Sequence, residues 1–120
     1  MKRSIIGLRY AAAGVAHAVR TERNMRIHVA GAVLAVAFGV YSRLERDEWL
    51  WIALSIALVW SAECINTAIE RTIDRMGETR HPLAKAAKDT AAGAVLVTAV
   101  FALVVGFTVL LPAFLARVGA

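Results

Sequence analysis

From Thr90 to Ala116 the chain carries no ionisable side chain. A run that long and that apolar has few fates. About 20 apolar residues in helical form cross the hydrocarbon core of a bilayer, and a soluble core has no room for so long a segment. Composition extends the point to the whole chain. Of 120 residues 59% are hydrophobic, and the mean hydropathy is +0.62. A water-soluble domain of this size has too little interior to hide that surface. The prediction is an all-α integral membrane protein forming one membrane-embedded domain over residues 1–120.

The rest of the chain divides around that span. Residues 1–21 read as an amphipathic helix, with Ile5, Leu8, Ala12, Val15 and Val19 on one face and Lys2, Arg9, His17 and Arg20 beside it. Such a helix lies in the membrane interface. Arg9 interrupts the apolar character, so no cleaved leader is expected. Glu22–His28 is polar and reads as a break. Residues 27–42 form a first span in which His28 is the one side chain able to carry charge. Residues 48–74 form a second, opened by Trp49 and Trp51 at headgroup level. A connector containing Gly77 leads to Pro82, and residues 82–116 form the third. Its small residues Ala94, Thr98, Ala102 and Gly106 recur every four positions, a spacing that lets helices approach closely in lipid. Cys64 has no second cysteine to pair with and reads as packing.

Lysine and arginine cluster before the first span and around the second connector, with Arg43, Arg46 and Arg117 elsewhere. That asymmetry places the N-terminus and the second connector in the cytoplasm. The net charge of +5 suits an anionic membrane surface. No basic groove or stacking-aromatic pattern points to nucleic acid.

Glu63 is the most informative residue. It interrupts an apolar stretch, where a charged side chain costs roughly 2.5–3.5 kcal/mol at mid-membrane and is functional by default. On a helix Asn66 falls about 60° from Glu63, and Glu70 and Asp74 about 20°. The four make one polar stripe, with Glu63 and Glu70 about 10 Å apart along the axis. Across the connector stand Lys85, Lys88 and Asp89. Lys85 and Asp89 are spaced as an i, i+4 ion pair, as are Glu22 and Arg26. By the topology above, Glu22, Glu70, Asp74, Lys88 and Asp89 share one membrane boundary. Acids with lysine there suit magnesium and a nucleotide, because magnesium takes one or two protein carboxylates plus phosphate oxygens. No Walker A sequence and no Gly-rich kinase loop is present.

Several of these stretches stand in a familiar order. They are Glu22-x-Asn24-x-Arg26-Ile27-His28, Glu48-Trp49, Glu63-x-x-Asn66-Thr67-Ala68-Ile69-Glu70-x-x-x-Asp74 and Ala87-Lys88-Asp89-x-Ala91-Ala92-Gly93-Ala94. Over nearly its whole length the chain resembles the bacterial diacylglycerol kinase/undecaprenol kinase family. The resemblance implies a homotrimer of three-span protomers with an N-terminal surface helix, in the inner membrane of a bacterium. Active sites would lie between subunits at the cytoplasmic boundary. Glu63 would be the general base for a lipid hydroxyl, with Asn66 positioning the reacting groups. Glu22 and Glu70 would hold Mg2+. Lys88 would contact the phosphates of ATP, with Asp89 and Asp74 on the nucleotide side. Arg3, Tyr10 and the connector residues Thr79–His81, Arg80 among them, match nucleotide contacts more loosely.

The substrate so implied is a lipid alcohol, undecaprenol or diacylglycerol. Asn24-x-Arg26-Ile27-His28, Pro82 and Ala91–Ala94 look more like the undecaprenol-kinase branch. Two rivals come from other classes. A small ion- or proton-conducting oligomer would use Glu63 but has no need of Lys88, Asp89 and two metal-type glutamates. A membrane interaction subunit would use the small-residue stripe and tolerate loss of Glu63.

Overall fold

The computed structural model describes residues 2–77 and 81–119, with side chains from Gly7 onward. Every regular element among them is helical. Helix α1 covers Lys2–Thr21, α2 Arg23–Tyr41, α3 Arg46–Arg75 and α4 Pro82–Val105. A π-helical turn at Gly106–Leu110 then leads into α5, Leu111–Gly119. Three helical stretches, Arg23–Tyr41, Arg46–Arg75 and Pro82–Gly119, are long and apolar enough to cross a membrane. The chain is an all-α integral membrane protein.

The sequence reading of a polar break over Glu22–His28 needs correction: the interruption is Glu22 alone. Its backbone is extended, yet its N–H still reaches Ala18 O at 2.8 Å and its carbonyl accepts from Arg26 N at 3.2 Å. The Arg26 guanidinium turns back to Val19 O at 3.2 Å and Arg20 O at 2.9 Å. Carbonyls at a helix end lack partners within the helix, so Arg26 closes α1 while belonging to α2. Asparagine and arginine are tolerated in a helix. The polarity of this segment therefore marks the membrane boundary and not a loop.

Helix α3 opens with a capping box, in which the Glu48 carboxylate accepts from Glu45 N at 2.9 Å. Asp47 and Glu48 also place negative charge at the helix's positive end. It closes at Gly77, whose φ of 121° is a conformation that costs glycine little. Helix α4 starts as the proline predicts. His81 caps it, its Nδ1 accepting from Leu83 N at 3.0 Å, and Pro82 occupies the first turn. Further on, Pro112 cannot donate to a carbonyl four residues back, and its ring crowds that carbonyl. The chain widens into the π turn just before it.

Side-chain contacts fix the directions of the spans. Asp74 meets Lys88 and Trp51 meets Phe101, so α3 and α4 are antiparallel. His28 meets Glu63, and Gly39 lies under Trp49, so α2 is antiparallel to α3. At one end of the bundle Tyr41 and Phe38 pack on Phe114, and Arg117 donates to Tyr41 O at 3.2 Å while stacking on the Tyr41 ring. Glu22, Glu70, Asp74 and Lys88 gather at the other. Leu44, Ile52 and Val105 form the buried core near the first end, and most other large apolar side chains face outward, as lipid contact requires.

A Cβ added at Gly39 would stand 2.7 Å from the Trp49 ring and 3.0 Å from Leu44. Gly39→Ala therefore sets a helix-propensity gain of up to about 1 kcal/mol against overpacking worth about 1–3 kcal/mol. The expected outcome is a lower thermal midpoint in detergent, by a few degrees, read from circular dichroism. An unchanged or higher midpoint would show that Trp49 can step aside.

Candidate active site

The polar stripe read from the sequence is present: it is buried at Glu63 and Asn66, half-buried at Glu70 and exposed at Asp74. Glu63, Asn66 and Thr67 share the inward face of α3 with Ile52, Ser55 and Val59. Glu63 is 1% exposed, and neither of its carboxylate oxygens has a hydrogen-bond partner among the described residues. An unpaired buried carboxylate is costly, and such groups call for an explanation in function. Thr67 donates to Glu63 O at 2.9 Å, which holds the backbone and leaves the carboxylate free. The facing group is His28 on α2, whose Nε2 stands 3.6 Å from Glu63 Oε2.

One turn on, Asn66 donates through Nδ2 to Glu70 Oε1 at 3.1 Å, while its own Oδ1 is buried without a partner. Glu22 and Glu70 both lie within electrostatic reach of Glu63. Glu22 pairs with Arg71, and the i, i+4 pairing with Arg26 does not form. Arg26 is committed to the end of α1, and Arg71 arrives from α3. Lys88 Nζ reaches Asp74 Oδ1 at 2.6 Å, joining the two ends of the connector. The Lys85–Asp89 pair forms as its spacing suggested, at 2.6 Å on an exposed face.

The structure thus brings Glu63, Asn66, Glu70 and Glu22 into one cluster and Asp74 with Lys88 into a second at the same end. Asp89 stands beside the second, held by Lys85. Tyr10 is exposed on α1, and no hydrogen bond among the described residues joins it to the cluster. The Arg3 side chain and the whole of Arg80, with Thr79, lie outside the described residues. Two contributors were missed. His28 had a signal, as the one ionisable side chain in its apolar run. Arg71 lies next to Glu70 of the stripe in the sequence, but its partner on another helix is invisible there.

Below the cluster, an open groove of about 410 Å³ runs between α2, α3 and α4. Its walls are almost wholly apolar, with Gly31, Ala32, Ala35, Ile56 and Ala99 among them, and His28 and Trp60 line it as well. Trp60 Nε1 donates to His28 O at 3.4 Å, tying the two walls together. Glu63 stands one helical turn beyond Val59 of the lining. An apolar groove that lies within a turn of a buried, unpaired carboxylate suits a lipid whose polar end reacts.

Comparison with known proteins agrees with that chemistry. The model of the family described as prokaryotic diacylglycerol kinase matches residues 9–110. The chain belongs to this family. It is 45% identical over 103 residues to an undecaprenol kinase of Bacillus subtilis, an alignment covering 86% of this chain and 84% of that protein. It is 43% identical over 112 residues to a diacylglycerol kinase of Synechocystis sp., covering 92% of this chain and 64% of that longer protein. A diacylglycerol kinase of Escherichia coli K12 is 30% identical over 95 residues, covering 79% and 78%. As a member of the prokaryotic diacylglycerol kinase family the protein is a lipid kinase embedded in a membrane. Both clusters fall within the matched residues.

Proposed function

We propose that the protein transfers the γ-phosphate of ATP to the hydroxyl of undecaprenol or diacylglycerol, yielding the lipid monophosphate and ADP. The observation that carries this reading is the buried Glu63 carboxylate, with no hydrogen-bond partner among the described residues, within a turn of an apolar groove. Undecaprenol is the preferred substrate of the two, on the motifs of α2 and α4. The names of the relatives support both, and 45% against 43% identity does not separate them.

The proposed chemistry uses the residues where they stand. The lipid chain occupies the groove and its hydroxyl reaches Glu63. The hydroxyl oxygen bonds to the γ-phosphorus, the bond from that phosphorus to the bridging oxygen of ADP breaks, and the hydroxyl proton passes to the Glu63 carboxylate. Asn66, fixed by Glu70, offers its free Oδ1 to orient the reacting groups. Lys88, with Asp74 and Asp89 beside it, meets the nucleotide's phosphates, and Tyr10, Arg3 and Arg80 are further nucleotide contacts. Phosphoryl transfer depends on such positioning and charge neutralisation.

Glu22 and Glu70 fit a divalent cation of the magnesium type. They are acceptor-only groups from two elements, both within electrostatic reach of Glu63, and one or two protein carboxylates are what magnesium takes beside phosphate oxygens. Among the described residues no group of three such ligands gathers, so phosphate or water oxygens would complete the shell. Bound there, Mg2+ would neutralise developing charge on the phosphates. We further propose, on the resemblance to the family, a homotrimer in the bacterial inner membrane, and, on the distribution of lysine and arginine, a cytoplasmic N-terminus.

The test is direct. The purified protein in mild detergent receives γ-labelled ATP and Mg2+ with undecaprenol and diacylglycerol in parallel. The expected result is label in extracted undecaprenyl phosphate, in excess of label in phosphatidic acid. Label in phosphatidic acid alone would reverse the preference. Label in neither, from folded protein, would refute both substrates.

A further inference from the structure

The group nearest the buried acid is one that the reading above leaves without work. His28 is the sixth residue of α2, and it faces α3. Its Nε2 is 3.6 Å from Glu63 Oε2. Among the described residues the carboxylates in electrostatic reach of Glu63 are Glu22 and Glu70, both of like sign. His28 also lines the apolar groove, and its carbonyl accepts from Trp60 on the opposite wall. Its imidazole therefore stands at the junction of the lipid's path and the carboxylate.

We propose that His28 is a positioning residue for Glu63: its Nε2–H fixes the direction in which the carboxylate presents an oxygen to the incoming hydroxyl. The inference rests on the lipid-kinase reading of Glu63. A separation of 3.6 Å is ion-pair range and too long for a hydrogen bond. Contacts of this kind are often long without substrate and tighten when the reacting groups are bound. Among the described residues no hydrogen bond holds the carboxylate, and the Asn66 amide beside it donates to Glu70 instead, so the contact can close without breaking one. A carboxylate free to turn about its last torsion would meet the hydroxyl in the wrong direction for much of the time. A misplacement of that size slows a reaction without weakening the binding of the nucleotide.

The experiment compares the unaltered protein, Glu63→Gln, His28→Leu and His28→Gln at saturating lipid, with ATP varied. Folding and assembly of each are followed by circular dichroism and size-exclusion chromatography. The glutamine amide can place an N–H close to where Nε2 stands, whereas leucine fills the space without a donor. The expected result is a fall of tenfold or more in kcat for His28→Leu, with the KM for ATP within twofold of the unaltered protein. His28→Gln should recover to within threefold. Full turnover by His28→Leu would overturn the proposal. So would an equal loss in both variants, or a loss that follows a lowered melting temperature. Failure of the unaltered protein to label any lipid alcohol would instead remove the kinase reading, and this inference with it.

Discussion

Glu63→Gln is expected to lower kcat for lipid phosphorylation by about 10³-fold, the scale of a lost general base, while the protein folds and assembles as before. The two halves of this expectation come from the same observation. The carboxylate is 1% exposed and its oxygens accept no hydrogen bond among the described residues, so it contributes little to holding the helices together. Exchanging a buried carboxylate of that kind for a neutral amide relieves the part of its desolvation penalty that comes from charge. The thermal midpoint of the variant should therefore equal or exceed that of the unaltered protein. Glutamine keeps the shape and can still sit against His28, but it cannot take a proton from a hydroxyl. Turnover measured with γ-labelled ATP, beside a melting curve, reads both halves. Near-normal turnover would show that the proton leaves by another route, and a lowered midpoint would recast Glu63 as a structural group.

The second large effect concerns the metal. Glu70→Gln and Glu22→Gln should each lower turnover at fixed Mg2+ by about 100-fold, equivalent to about 2.7 kcal/mol of transition-state stabilisation, and each should recover part of that loss as Mg2+ is raised. Glu70→Gln keeps an acceptor for Asn66, since the glutamine carbonyl stands where Oε1 does, so the positioning of Asn66 is preserved and the charge alone is lost. Glu22→Gln also weakens the pair with Arg71. Half-exposed ion pairs contribute about 0–1 kcal/mol, so the melting curve should barely move. Activity titrated with Mg2+ in each variant, and abolished by a chelator in the unaltered protein, checks the assignment. A Mg2+ dependence identical in all three proteins would remove both glutamates from the metal site.

The contrast between what could be read from residues and what needed coordinates follows a physical line. Glu63 was legible because a charge in an apolar run is expensive wherever the run goes. Asn66, Glu70 and Asp74 followed from it, because helical geometry relates residues on one helix without any knowledge of a second. Pro82 and Thr90–Ala116 announced the third span, Pro82–Gly119, for similarly local reasons. Pairing between helices had no such handle. Arg26 lies four residues from Glu22 and was the natural partner, yet the kink at Glu22 turns it to the end of α1, and Arg71 takes its place from 49 residues away. His28 and Glu63 are likewise distant in the chain and adjacent in space. Even Lys88 and Asp74, 14 residues apart, meet only because α3 and α4 run antiparallel.

The kink at Glu22 has a mechanical side. The one residue out of helical conformation between α1 and α2 is also the residue that α3 grips through Arg71. A surface helix hinged at such a point is a lever. How deeply α1 sinks among the headgroups sets its tilt, and the tilt turns about a pivot that is itself a carboxylate of the site. The lipid surface and the reacting groups thus share a single bearing, and strain applied to one is felt at the other.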